Sequence, residues 1–490
     1  MDINEIRQIR IKKLGNLLSK GLFPYGKAFS RSQTIQDVLD DFTEGQAVKL
    51  AGRIMANRKH GKVYFLDLRD QTGKIQLFVK ADYLGPENFD ILQDLDIGDI
   101  IGVEGELFKT KTQEKSVRVR SLTVLSKALL SLPEKWHGLK DMELRYRQRY
   151  LDLIANPQIR EVFLTRSHAI SFVRNFLNQR GFLEVETPML QPQAGGARGR
   201  PFKTKHNTYD MDVFLRIAPE LYLKRLLVGG FERIYELNRS FRNEGISPRH
   251  NPEFTMLEVY EAYSDCEGMM KLTEEMVSSL VKDLTGSFVV PYQGTNIDFT
   301  PPWDRRSFTQ VVKDKFNIDP DDDAAIMLDK VRKMKGDRVV IEKLTRSAVM
   351  KIVEDLLEEE ASLNPVFFTD YFTFLCPLAK TVEGNPHISQ RFECFIAGLE
   401  VANAYSELND PQEQQKRLTV DLQDDFETGN RVIDTDFIHA LEYGMPPAGG
   451  LGIGIDRLVM ILTDSPSIKD VILFPLLKPL SEAGDKTDGS

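Results

Sequence analysis

Cysteine is nearly absent from this chain. The three that occur, Cys266, Cys376 and Cys394, lie far apart and make no CxxC pair, which excludes a disulfide framework and a cysteine zinc site. Seven scattered histidines without an HExxH pattern exclude the common zinc hydrolase chemistries. There is no Walker A sequence, and the glycines at 449, 450, 452 and 454 do not have the GxGxxG spacing of a dinucleotide fingerprint. No apolar run approaches the roughly 20 residues that span a bilayer. The opening MDINEIRQIRIKK carries charges where a signal peptide needs its apolar segment. A cytoplasmic protein without membrane contacts is therefore expected. A basic excess is missing as well: 64 Lys and Arg against 73 Asp and Glu leave a formal net charge of −9. That argues against a generic nucleic-acid binder, yet local basic patches occur at Arg7–Lys13, Arg145–Arg149 and Arg198–Lys205.

What is present reads as an ordinary globular protein, 41% hydrophobic and 28% charged over 490 residues, long enough for two or three domains. Residues 1–46 form an N-terminal helical segment, in which Ile6, Ile9, Ile11, Leu14, Leu17 and Leu18 predict an amphipathic helix ending near Gly21. Between 47 and 127 the pattern changes to short strands at 48–56, 62–70, 74–80, 99–108 and 116–125, with a helix near 88–95. Three strands, a helix and two strands is the order of a five-stranded OB-fold β-barrel. Arg58, Phe65 and Gln76 fall on or beside the first three strands and supply a cation, a stacking ring and a base-reading amide. Residues 128–150, with Pro133, Trp136 and RYRQRY, read as a linker.

The most informative stretch is FERIYELNRSFRNEGISPRHNPEFTMLEVYEAY, from Phe231 to Tyr263. Two strand-like runs flank a polar loop containing Gly245, Pro248 and Pro252, the pattern of an antiparallel hairpin with a long tip. Alternation places Phe254, Met256, Glu258 and Tyr260 on one face of the returning strand, and Glu236, Asn238 and Arg242 on one face of the outgoing strand. A second hairpin is predicted around Gly398 in RFECFIAGLEVANAYSELND, where Asn403, Tyr405 and Glu407 share a face and Glu393 and Glu400 flank the turn. Residues from about 266 to 355, with an acidic run at Asp319–Asp323, read as helices and loops inserted into a larger domain at 151–480. The polar tail at 481–490 is expected to be disordered.

Arg242–Glu244 followed by Arg249–Phe254 resembles motif 2 of class II aminoacyl-tRNA synthetases, in the IIb subgroup that charges lysine, aspartate and asparagine. Other segments agree in order. The helical pattern at 161–179, Gly181 and LEVETPML resemble motif 1, which implies that Pro188 marks a homodimer interface. GGARGRP at 195–201 resembles the loop that covers the amino acid, with Gly199 where alanine is usual. GGLGIGIDRLVMIL resembles motif 3, and GRIMANRKHGKVYFLDLRDQTGKIQLFV the anticodon-binding domain. The resemblance implies an α+β chain: an OB-fold barrel followed by a class II catalytic domain built on an antiparallel sheet flanked by helices.

It also implies a chemistry. An amino-acid carboxylate attacks the α-phosphate of ATP, pyrophosphate leaves, and the acyl group passes to the 3′ end of tRNA. Arg242 would meet the α-phosphate, Arg249, His250 and Arg457 the outer phosphates, Phe254 the adenine ring and Glu244 its amino group. Glu393 and Glu400 would hold Mg²⁺, and Arg58, Phe65 and Gln76 would read the anticodon. Within the subgroup, NAYSELND is closest to the branch that takes L-lysine and tRNA(Lys). Its amino-acid pocket would comprise Gly196, Glu220, Glu258, Tyr260, Asn403, Tyr405 and Glu407, carboxylates suited to two ammonium groups. An aspartate or asparagine enzyme, a lysine ligase acting on a translation factor, and an inactive regulatory paralogue remain as alternatives.

Overall fold

A computed structural model of the chain describes residues 3–26, 28–133, 139–197, 199–335, 341, 344–359, 362–424 and 432–479. They divide into two compact units, Met1–Arg145 with Tyr150–Asn156, and Tyr146–Arg149 with Pro157–Ser490. The tail at 481–490, the middle of the linker with Trp136, and Arg198 of the glycine-arginine loop lie outside the described residues.

In the first unit, strands β1 (Ala47–His60), β2 (Val63–Arg69), β3 (Lys74–Lys80), β4 (Ile100–Lys109) and β5 (Lys115–Ser126) wrap into a barrel in the order β1-β2-β3-β5-β4. Strict alternation fills it: Tyr64, Leu66 and Leu68 of β2 and Ile75, Leu77 and Val79 of β3 are buried, while Phe65 and Gln76 turn outward. The helix expected at 88–95 is instead three short turns, Ala81–Leu84, Pro86–Phe89 and Asp90–Gln93. Gly85 at φ 84° separates the first turn from the second, Pro86 opens the second at a helix N-terminal position, and Asp90–Gln93 follows as a 3₁₀ turn. Helix α1 (Ile3–Ser19) ends before Gly21, as its pattern predicts. It is held to the barrel unit by polar contacts: Arg10 donates to the carbonyls of Ala128 (3.0 Å), Leu130 (2.7 Å) and Ile97 (3.1 Å), and Lys13 pairs with Asp96 at 2.6 Å. Leu17 enters the barrel core.

The second unit is built on a mixed nine-stranded sheet. From one edge the strands run Asp304–Ser307, Val366–Phe372, Asn385–Ile396, Leu399–Ser406, Ala448–Gly454, Glu253–Ala262, Arg233–Phe241 and Leu183–Glu184, with Thr381–Val382 paired to Asn385–Ile396. Pairing is antiparallel through the centre and parallel only at the two ends. The helices Pro157–Gln179, Cys266–Thr285 and Ile455–Leu462 contribute to one hydrophobic core with Leu257, Val259, Leu451 and Ile453 of the central strands. Both predicted hairpins are present.

The segment at 266–355 contains strands as well as helices. Its helix Cys266–Thr285 lies in the main core, and Asp304–Ser307 extends the main sheet. The helices Phe308–Phe316, Ala324–Lys335 and Arg346–Glu359 share a separate core with Val366, Phe368 and Phe395.

One ion pair anchors the first hairpin. Arg216 is 1% exposed, and its Nη1 meets Glu236 Oε1 at 2.5 Å and the Thr187 carbonyl at 3.1 Å. Thr187 Oγ1 donates to Glu236 Oε2 at 2.7 Å. Replacing Arg216 by methionine leaves a buried carboxylate without its cation, and we expect a loss of about 3–5 kcal/mol in the stability of this unit, measured by urea denaturation. A change below about 1 kcal/mol would show the pair to be dispensable.

Candidate active site

The strand Ala448–Gly454 lies between the two hairpins, paired on one side with Glu253–Ala262 and on the other with Leu399–Ser406. Its alternation separates two environments. Leu451 and Ile453 face the core, whereas Gly450, Gly452 and Gly454 line a cavity of about 1020 Å³. A glycine floor lets side chains from both neighbouring strands close over it. From the first hairpin come Phe254, Met256, Glu258 and Tyr260, and from the second Asn403, Tyr405 and, just past the strand end, Glu407.

Every candidate residue of the ATP, amino-acid and metal sets lines this one cavity: Gly196, Glu220, Arg242, Glu244, Arg249, His250, Phe254, Glu258, Tyr260, Glu393, Glu400, Asn403, Tyr405, Glu407 and Arg457. Glu236 and Asn238 do not. Glu236 shares the face of Glu258, its register partner, but Arg216 and Thr187 cover it. Arg242 lies just past the strand end, where its backbone N–H bonds Pro252 O at 2.9 Å.

At one end the cavity is cationic. Arg242 is half-buried, its guanidinium 5.2 Å from the Phe254 ring centroid, and its Nε has no hydrogen-bond partner among the described residues. Burial pulls its pKa down, countered by Glu244 and Glu400. Arg457, carried by the helix Ile455–Leu462, donates to the Glu400 carbonyl at 2.7 Å and carboxylate at 3.3 Å, and contacts His250 Nε2 at 3.1 Å. The His250 ring is open to the cavity, yet its enclosed setting, with Arg457 and Arg242 beside it, pushes its pKa down to about 4. It is therefore neutral at pH 7, taking a hydrogen bond from Arg457 rather than adding charge. Gly199, at φ 152°, sits against Arg242. An added Cβ would meet the Arg242 side chain at 3.2 Å and Glu244 Oε1 at 3.0 Å, so alanine here would press on both.

Glu393 and Glu400 converge because of a β-bulge. The register of the second hairpin slips between Cys394 and Phe395, leaving Val401 as an extra residue. This turns Glu400 onto the face of Glu393 instead of toward the core. Glu393 is held by Arg391 and by the Tyr371 hydroxyl at 2.7 Å. Burial raises its pKa, with Arg391 acting against the rise and Glu400 adding to it.

The other end is anionic. Glu220, Glu258 and Glu407 are all buried. The Tyr260 hydroxyl donates to Glu258 at 3.1 Å and that of Tyr405 to Glu220 at 2.9 Å. Burial pushes both Glu258 and Glu407 up to about 8. Lys224 meets Glu407 Oε2 as an ion pair, while Oε1 has no hydrogen-bond partner among the described residues. Lys224 and Arg391 were not singled out in the sequence. Lys224 lies one helical turn after Glu220, but nothing local connects it to Glu407.

In the barrel, Arg58, Phe65 and Gln76 share the outer surface. Arg58 is the register partner of Phe65, and it donates to Asp67 at 2.7 Å and to Gln76 Oε1 at 3.4 Å. Phe65 continues into a ring cluster with Phe78 and Phe108, over which Arg118 stacks. Phe78, Phe108 and Arg118 extend this aromatic, basic face beyond the predicted three residues. Pro188 is exposed and away from the cavity, beside exposed Leu183, Met189 and Leu190 at the sheet edge.

An antiparallel sheet with a glycine-floored cavity, cationic at one end, and a separate OB barrel define a class. The family of class II tRNA synthetases for D, K and N matches residues 141–478, and the OB-fold nucleic-acid-binding family matches 48–125; the chain belongs to the class II aminoacyl-tRNA synthetases. Its relatives include the lysine–tRNA ligases of Pelotomaculum thermopropionicum, 51% identical over 98% of this chain and 96% of that protein, and of Syntrophomonas wolfei, 49% identical over 98% of each. That of Thermotoga maritima is 46% identical over 97% of each chain. No helix among the described residues is long and apolar enough to cross a membrane.

The glycine floor has a direct test. A Cβ on Gly450 would lie 1.8 Å from Glu407 Oε1 and 2.7 Å from the Tyr260 ring. Gly450→Ala must displace Glu407, and we expect KM for the amino-acid substrate to rise roughly tenfold or more while KM for ATP changes less. Steady-state kinetics check this, and equal effects on both substrates would refute it.

Proposed function

We propose that this chain is a lysine–tRNA ligase that converts L-lysine and ATP to lysyl-adenylate and pyrophosphate, then transfers the lysyl group to the 3′ end of tRNA(Lys). The observation that carries this reading is the anionic end of the cavity. A substrate with two ammonium groups fits three buried carboxylates and the unpartnered Oε1 of Glu407. Aspartate and asparagine have no second cation to offset that charge, which disfavours those enzymes. The OB barrel disfavours a ligase acting on a protein. Retention of Arg242, Glu400 and Arg457 disfavours an inactive paralogue.

The first step needs no general base, because the attacking carboxylate is already ionised at pH 7. It needs fixed positive charge and alignment. Arg242, enclosed at low dielectric, would pair with the α-phosphate through its planar fork of donors. Phe254 would stack on adenine and Glu244 would meet its amino group. Arg249 and Arg457 would hold the outer phosphates, with His250 orienting Arg457. Glu220 and Gly196 would take the α-ammonium, and Glu407 and Tyr260 the ε-ammonium, with Glu258, Asn403 and Tyr405 completing the wall.

Glu393 and Glu400 fit Mg²⁺, which favours one or two carboxylates completed by phosphate oxygens. No group of three or more candidate ligands occurs among the described residues. The ion would supply neutralisation of phosphate charge, and Arg391 and Tyr371 would keep Glu393 oriented toward it. Phe65, Gln76 and Arg58 would read the anticodon by stacking and hydrogen bonding. The exposed apolar edge around Pro188 supports a homodimer, and the reading places the protein in the cytoplasm.

Lysine-dependent exchange of pyrophosphate into ATP tests activation apart from tRNA. Arg242→Ala is expected to lower exchange at least a hundredfold, on the order of removing one transition-state donor. Phe65→Ala should leave exchange intact and raise KM for tRNA(Lys) by roughly 10- to 100-fold, the worth of one stacked base. Unchanged exchange in Arg242→Ala, or exchange with aspartate in place of lysine, would overturn the reading.

The pocket also predicts a pH dependence. Glu258 and Glu407, pushed up to about 8, must be ionised to receive an ammonium group. Below pH 8 binding requires that a proton be lost, so KM for lysine should fall as pH rises from 6 to 8, by about tenfold or more. It should then level off until the substrate's own ammonium groups deprotonate, the α-ammonium before the ε-ammonium at ~10.4. A flat or rising profile at saturating ATP would refute this assignment.

A further inference from the structure

We propose that Lys224 is a positioning residue whose ammonium group, placed behind the amino-acid pocket, sets the pocket's charge and holds Glu220 and Glu407 in place for a doubly cationic substrate. The proposal rests on the lysine reading above and goes beyond it. Lys224 does not line the cavity. It sits one turn along the helix Glu220–Val228, completely buried, with Nζ 2.8 Å from Glu220 Oε1, paired with Glu407 Oε2 and 5.6 Å from the Tyr405 ring centroid. An ammonium has donors only, so Lys224 bridges one oxygen of each carboxylate, while the other oxygen of Glu220 accepts from the Tyr405 hydroxyl at 2.9 Å. Glu407 Oε1 is left bare beside Gly450.

The two carboxylates come from segments far apart in the chain, one on a helix and one past the end of the strand Leu399–Ser406. Without a cation between them they repel. No other Lys or Arg among the described residues is paired with either. The other titratable groups beside the pocket are Glu258, Tyr260, Tyr405 and Arg391, which contacts Asn403 at 3.3 Å and is paired with Glu393, while Glu236 is taken by Arg216. On the helix packed alongside, Asp434 is taken by Arg225 at 2.8 Å.

Charge counting gives the consequence. Three ionised pocket carboxylates, Lys224 and the two substrate ammonium groups sum to zero. Without Lys224 the occupied pocket carries an excess negative charge, and every pocket carboxylate gives up its proton less readily, so a higher pH is needed before the pocket can take two ammonium groups. A lysine that served only to fill space would not move that pH.

The test is calorimetric titration of the full chain with L-lysine at a series of pH values from ~6 to ~9. Lys224→Gln is expected to bind lysine about tenfold or more weakly at pH 7, with ATP affinity unchanged within about twofold. Its rise in lysine affinity with pH should be displaced upward by about one pH unit or more relative to the native protein. Lys224→Arg, which keeps the charge, should return the native pH midpoint even where affinity is not restored. A native midpoint in Lys224→Gln, or the same midpoint in the Gln and Arg variants, would overturn the proposal. If Lys224→Gln loses ATP binding through misfolding, Lys224→Met against Lys224→Arg carries the same comparison. Native protein that binds no lysine and supports no lysine-dependent exchange would overturn the lysine reading and this proposal together.

Discussion

The close approach permitted by glycine in the strand Ala448–Gly454 is the constraint on which the site depends. That strand is the seam between two hairpins, and it must seal a hydrophobic core on one face while leaving room for reactants on the other. Leu451 and Ile453 do the first and Gly450, Gly452 and Gly454 the second. A Cβ on Gly450 would collide with Glu407 and Tyr260, one on Gly452 would press on the Met256 methyl at 3.2 Å, and one on Gly454 would make only ordinary contacts. Because the seam is one strand wide, residues from both hairpins reach across it into a shared volume.

Charge is then distributed along that volume in opposite senses. Arg242 and Arg457 make one end electropositive, and Glu220, Glu258 and Glu407 make the other electronegative. Burying such groups is costly unless each is partnered. The partners are specific: Phe254 beneath Arg242, Glu400 against Arg457, Arg391 and Tyr371 on Glu393, and Lys224 behind Glu220 and Glu407. Arg242 Nε and Glu407 Oε1 are enclosed without a hydrogen-bond partner among the described residues. The neutral His250 fits the same logic, since a third cation beside two arginines would be repelled.

Much of this was legible along the chain. Period-two alternation placed Phe254, Met256, Glu258 and Tyr260 on one face, and all four line the cavity. The helix ending before Gly21 and both hairpins followed from local punctuation. What misled was also local. Glu236 carries the right alternation, yet it belongs to Arg216, which lies across a separate strand connection. The helix expected at 88–95 is instead the end of the short turn Pro86–Phe89 followed by the 3₁₀ turn Asp90–Gln93.

The sequence by itself determined the elements, the order of the motifs and the kinds of groups available, because propensity, alternation and turn chemistry act over a few residues. Only the tertiary structure decided which of those groups meet. The convergence of Glu393 and Glu400 hangs on one bulged residue, Val401. The pairing of Lys224 with Glu407 joins positions that no sequence period relates. Such contacts arise from packing separate segments around a common core, and their energies depend on burial and on distance in space, neither of which is written in local order along the chain.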